Sequence, residues 1–514
     1  MKRIAFLCII SSFLSSSSLA QSFDEAKSFQ ENSRESFQEF RNSILNNYND
    51  FKRTILEHYA DFLNGEWHEY ESLEGLKRDN TPKPKDAPRV NLPDVPGQPS
   101  EPGKQPGNEK PSLGENNKPE PKPEVKPEPK PEVKPGNPPT PPRPTNPMAT
   151  PGRFNFNFYD MPMSLADINF SISNSLNSPA DFSNQWKALE ASKVADKMLP
   201  SIKNAIKETG LNDYLTYKYL ESYVNSKFPN VKESAKMALV HYLIVNLGYD
   251  ARIAVTTKGT PLLLIPFKQT VYGRSFLSLN NQRYYIFPPE GYDVSAIFQE
   301  KVMTCQLPTD VNTGNIFDLV VGELNLPVKP KKFDLEYGPL HLTGEMNENL
   351  IPILYKYPQM PIADYARSNI QPQLRKELAQ QIKTQLGGMN GDEDVEALLH
   401  FTQNAFQYAT DDAYHGFEKP YFIEETLFYP KNDCEDRAIF YTYFLHNALG
   451  RDTQLISFPG HEAASVVLKQ PKNGVSYQNN GKTYYISDPT YIGASTGMVM
   501  PTFINVRPEV DYTY

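Results

Sequence analysis

The chain has 514 residues and carries 61 acidic against 52 basic side chains, a formal net charge of −9 with a pI near 5.6. That balance, with no basic stripe in the part able to fold, argues against a nucleic-acid partner. Three cysteines in so long a chain leave no disulfide framework.

In chain order, the first twenty residues have the layout of an export signal: Lys2 and Arg3, an apolar run from Ile4 to Leu14, then Ser18-Leu19-Ala20. This predicts a mature start near Gln21 and a periplasmic or cell-surface protein, with Cys8 leaving in the signal. No later apolar run approaches the ~18 residues that span a bilayer, so no transmembrane segment is expected in the mature chain.

Within residues 21–80, an amphipathic helical segment, the chain from Phe37 can be written in elevens, "FQEFRNSILNN", "YNDFKRTILEH", "YADFLNGEWHE", "YESLEGLKRDN". Phe37, Tyr48, Tyr59 and Tyr70 share a column, and Phe40, Phe51, Phe62 and Leu73 the next, which keeps them on one helical face. One amphipathic helix from about Phe23 to Lys77 is predicted, available for self-association or for docking on the chain itself. Residues 81–152 are dominated by proline, a composition that buries no core and favours a disordered, polyproline-type spacer.

The remainder reads as two units, 153–310 and 330–514, related by a diverged duplication. "ESAKMALVHYLIVNLGYDARIAV" (233–255) matches "EDRAIFYTYFLHNALGRDTQLIS" (435–457) without gaps, and "NQRYYIFPP" (281–289) lies against "GKTYYISDP" (481–489). An insertion must then sit in the second unit between Tyr408 and Asp433. Each unit reads as strand, helices, a core helix and paired strands, an α+β layout.

The second unit carries a chemical constellation. Asn432 or Asp433 is a suitable N-cap, which puts Cys434 in the first turn of an apolar helix that ends at Gly450. The helix start favours a thiolate, Glu435 and Asp436 oppose it, and a base is required. His461 opens a strand after Pro459-Gly460, and Asp488 ends one against Pro489. A helix start and two neighbouring strands can bring nucleophile, base and orienting carboxylate together.

In that order, "NDCEDRA", "PGHEA" and "YYISDPTY" resemble the core pattern of the transglutaminase-like cysteine peptidase superfamily over roughly residues 390–500. The resemblance implies a papain/transglutaminase-type domain with Cys434 as nucleophile, His461 as general base and acid, and Asp488 as orienting group. It implies a peptide or protein amide as substrate. Gln407 and Tyr408 are the candidates for a side-chain oxyanion donor. The first unit has Lys232, Gly259 and Pro288 opposite the three positions, so it is expected to be a non-catalytic copy that walls the cleft or binds.

The acyl acceptor is left open. Hydrolysis is the preferred outcome, because no calcium loop of the D-x-[DN]-x-[DN]-G kind is present and no metal or cofactor is expected. Protein cross-linking is the alternative within the family, and a peptide- or glycan-binding surface protein with a vestigial triad is the alternative outside it.

Overall fold

The computed structural model describes residues 58–78, 83–90, 152–292, 300–307 and 314–514. The export signal, most of the eleven-residue repeats and most of the proline-rich tract lie outside these residues. The fold is α+β, with antiparallel sheets packed on helices.

Two sheets repeat one strand order. In the first, Lys301–Cys305, Arg252–Thr256, Pro261–Pro266, Gln282–Phe287 and Phe276–Leu279 lie side by side. In the second, Glu509–Thr513, Thr453–Phe458, His461–Val466, Lys482–Ser487 and Ser476–Asn479 occupy the same sequence of places. The helix Glu233–Leu247 packs on the first sheet and Cys434–Asn447 on the second, each buried on nearly every side. An apolar run with no polar stripe makes a helix of this kind stable only inside a protein. Both chains then turn through a glycine with positive φ, Gly248 at 103° and Gly450 at 65°.

The tight turns recur as well. Asn280-Asn281 and Asn480-Gly481, all with positive φ, close the outer hairpin of each sheet as asparagine and glycine favour in two-residue loops. The register refines the sequence alignment at one point. Phe458 pairs with His461 where the first unit bonds Thr256 to Thr260, so Thr260, not Gly259, stands opposite the histidine. The first unit turns there through three residues and the second through two.

Two expectations for the N-terminal part need correction. The chain is helical over 58–64 but does not continue so to Lys77. Trp67–Glu71 is a strand that pairs with Lys301–Cys305 and adds a sixth strand to the first sheet. Within 58–64 the apolar column turns inward on the chain itself. Tyr59 is fully buried, stacks on Trp186 at 4.6 Å and shares a hydrogen bond of 3.2 Å with His241 Nε2. Residues 83–90, expected to be spacer, are instead seated on the second unit. Tyr408 donates to the Pro84 carbonyl, and Val90 and Ile492 exchange backbone bonds with this stretch.

If this docking holds the first unit together, Tyr59→Ala should cost about 3 kcal/mol, the usual cost of emptying a ring-sized site in a core. Thermal unfolding of the full chain reads the effect. A midpoint equal to that of the parent would mean that residues 58–64 contribute nothing to the folded core.

Candidate active site

The helix that starts at Cys434 starts in the interior. Asp433, at its N-cap, donates its backbone N–H to Asp436 Oδ2 at 3.2 Å, and the other oxygen of Asp436 accepts from Tyr421 N at 2.8 Å. Arg437, also buried, donates to Asn432 Oδ1 and to the carbonyls of Gln403 and Phe406. These bonds tie the helix start to its buried neighbours and hold Cys434 in one place.

The Cys434 thiol is 2% exposed and donates to Glu435 Oε2 at 3.1 Å. Burial, and next the Glu435 carboxylate, push the thiol well above its usual value, while Lys83 works in the other direction. This follows the expectation that the neighbouring acids oppose the helix start and that a base is required. Desolvation and one adjacent carboxylate outweigh the dipole.

His461 owes its position to the Pro459-Gly460 turn. Proline presets the first φ, and Gly460 takes the positive φ of 70° that the second position requires. The imidazole Nε2 lies 2.8 Å from Asp488 Oδ2, and the ring stacks on Phe503 with 5.7 Å between centroids. A neutral imidazole that donates from Nε2 to a carboxylate keeps its lone pair on Nδ1. That Nδ1 is buried and has no hydrogen-bond partner among the described residues.

Asp488 is held from both sides. Its Oδ1 accepts from the backbone N–H groups of Thr490 and Tyr491. Gln403 donates its amide to the carbonyls of Asp488, Tyr491 and Ala494 and accepts from Gly493 N. Gln403 is a positioning residue that sequence reasoning missed. Its only signal is a buried polar place in the helix Glu393–Asn404, four residues before the glutamine that was singled out.

Cys434 and His461 line one cavity of about 330 Å³ together with Glu435, Glu462, Arg78 and Lys83, and Tyr272 of the first unit forms part of its wall. Gln407 and Tyr408 do not line it. They face a separate cavity of about 450 Å³, Gln407 is exposed, and the Tyr408 hydroxyl donates to Pro84 O. Neither is therefore placed to steady an oxyanion at Cys434. Lys232, the first-unit counterpart of the cysteine, caps its helix with no side-chain hydrogen bond to it.

The acids around Cys434 come from three stretches: Asp411 and Glu418 from the insertion, Asp433, Glu435 and Asp436 from the helix start, and Glu462 from the strand after His461. Asp411, Glu418 and Glu435 bring oxygens within 4.8 Å of one another, a spacing that a cation could bridge. Arg78 and Lys83 supply positive charge there. Lys83 Nζ lies 2.5 Å from Glu435 Oε1, 3.0 Å from Glu418 and 3.1 Å from Asp433, and Arg78 pairs with Glu418 and Glu435. Burial alone would lower the Lys83 amine. Asp433 and Glu435 outweigh it and hold the amine well above its usual value. Asp411, buried near Glu435, is pushed up to about 7.

Comparison with protein-family models, curated proteins and solved structures finds no match to this chain.

The charge state of Glu435 should set the reactivity of Cys434. With the thiol raised, its alkylation by iodoacetamide should be slow near neutral pH and climb through the alkaline range as the thiolate forms. Glu435→Gln removes an anion while leaving Lys83 nearby, so the thiol falls and the rate at pH 7 rises, roughly tenfold for each unit. Cys305, raised to about 11 by burial and outside the cavity, should stay inert in both proteins. A rate in the parent that is high and flat between pH 6 and 8 would contradict this order.

Proposed function

We propose that the chain is a cysteine hydrolase of the transglutaminase-like kind, a tandem of two such units in which only the second is catalytic, acting on peptide or protein amides through a thioester. The observation that carries the reading is the His461–Asp488 pair at 2.8 Å, with Nδ1 left unbonded, beside a cavity that the Cys434 thiol also lines.

Each group then has one task. The Cys434 sulfur attacks the amide carbon as its proton passes to His461 Nδ1, and Asp488 stabilises the imidazolium through Nε2. The C–N bond breaks, the imidazolium gives its proton to the departing amine, and an acyl thioester remains. Water, deprotonated by the same Nδ1, attacks that thioester. The carboxylic acid leaves and the thiol is restored. Because the thiol begins protonated, proton transfer accompanies attack instead of preceding it, and His461 matters more than it would beside a preformed thiolate. The first unit lacks the three groups, and through Tyr272 it shapes the cavity wall.

Transamidation is the second reading, favoured by a cavity whose acids already hold the Lys83 ammonium and would hold the ammonium of an amine substrate until it is deprotonated. An amine held there would compete with water for the thioester. The export-signal layout of the first twenty residues supports a reaction outside the cytoplasm.

Turnover of a mixed peptide-amide library in the presence of butylamine, followed by mass spectrometry, separates the outcomes. Free acids indicate hydrolysis and butylamide products indicate transfer. Cys434→Ser and His461→Ala should each cost roughly 10³-fold or more, and Asp488→Asn a similar or smaller factor. Undiminished turnover by Cys434→Ser would end the enzyme reading.

A further inference from the structure

The segment that enters the cavity is pinned on both sides of it. Upstream, Leu73 exchanges backbone bonds with Phe276, and Gly273 donates to the Leu76 carbonyl, so 72–76 lies along the edge of the first unit. Gly75 permits this approach, since a Cβ there would stand 2.4 Å from the backbone nitrogen of Arg274. Downstream, Pro84 and Pro88 are bonded to the second unit through Tyr408 and Ile492. Between these anchors Arg78 and Lys83 reach the acids beside the thiol, with side chains only 13% and 11% exposed.

Burying two cations is costly unless carboxylates receive them, and burying carboxylates is costly without cations. The match is not complete. Glu462, 6% exposed, lines the cavity and keeps Oε1 without a hydrogen-bond partner among the described residues. The site has acceptor capacity that the two side chains of the strap do not use. Planar guanidinium and compact ammonium groups are both held here, which marks a site selective for positive charge more than for one shape.

We propose that the acidic cavity beside Cys434, lined by Glu435 and Glu462, is a subsite for a cationic side chain of the substrate, and that Arg78 and Lys83, which also pair with Glu418 and Asp433, fill it in cis. The inference rests on the proposed hydrolase reading and adds the substrate class, peptides with arginine or lysine beside the attacked bond. The strap and the substrate then compete for one set of carboxylates. A substrate cation that replaces Lys83 keeps a positive charge beside Glu435.

The test separates binding from chemistry by using the full chain with Cys434→Ala. In that background, with Arg78→Gln and Lys83→Gln, calorimetry should show Nα-benzoyl-arginine amide binding roughly tenfold or more tighter than the isosteric Nα-benzoyl-citrulline amide, the usual worth of a charge-assisted bond. The preference should vanish in Glu435→Gln with Glu462→Gln. With the native strap, arginine binding should weaken by a similar factor, and Gly75→Val, which lifts the strap by crowding Arg274, should recover it. Equal affinity for the two compounds in the strap-neutralised protein would overturn the subsite. Unchanged arginine affinity between native and neutralised straps would overturn the competition. Charge preference in a protein whose Cys434 proves inert would end the hydrolase reading alone, whereas turnover without charge preference would end the subsite alone.

Discussion

A helix that begins in the interior must have its first turn answered by protein groups, and the arrangement around Cys434 depends on that requirement. Asp436 takes the N-cap amide, and Arg437 ties the helix start to the carbonyls of Gln403 and Phe406. Gln403 in turn holds the turn after Asp488, and Asp488 holds His461. A continuous series of hydrogen bonds thus connects the start of one helix to the imidazole on the neighbouring strand. Its members are all buried, so loss of any one leaves partners unsatisfied where water cannot replace them.

The same scaffold carries two different fillings. The first unit repeats the strand order and the core helix but puts Lys232, Thr260 and Pro288 where the second has Cys434, His461 and Asp488. It also runs almost directly from Lys227 to Glu233, whereas the second unit inserts the residues between Asn404 and Cys434. That insertion contributes Asp411 and Glu418, so the acidic wall has no counterpart in the first unit. The buried pair Arg375–Glu424 ties the insertion to the helix Pro372–Leu386, and the ammonium of Lys419 against Glu425 fixes it internally. The insertion's acids that meet Glu435 and the strap cations are therefore held by buried ion pairs.

What the sequence made legible was whatever repeats locally. Gapless core helices and the Tyr-Tyr-Ile strands led to the α+β class, and the Pro-Gly and Asp-Pro punctuation led to His461 and Asp488. What it hid depends on distant partners. "WHEYE" continues a helical column, yet Lys301–Cys305 offers a sheet edge, and tertiary pairing overrides the local period. "KPKDAPRV" shares its composition with the proline-rich tract, and only partners more than three hundred residues away, the acids Asp433 and Glu435 with Tyr408 and Ile492, explain why it is seated. Gln403 passed for an ordinary helix residue because its bonds go to backbone carbonyls, which sequence pattern does not reveal. Gln407 and Tyr408, expected in the helix before the insertion, instead form a short strand against Lys431–Asn432 and face a cavity away from the thiol, a placement set by a distant pairing.

The seating of 83–90 changes what the proline-rich tract connects. Its upstream flank is bound at Ile492 and its downstream flank begins the hairpin Arg153–Phe158 with Met161–Ala166, so both ends are attached to one folded body. The chain leaves the described fold at Val90 and rejoins it at Gly152. Closing such a loop costs only about 0.6 kcal/mol for each doubling of its length, so the tract can lengthen or shorten with little thermodynamic consequence. A cut within it would convert one polypeptide into two that remain associated through Tyr59, the strand Trp67–Glu71 and the Lys83 ion pairs. Their association would then depend on dilution, and the cavity beside Cys434 would acquire a dissociable subunit in place of a tethered strap.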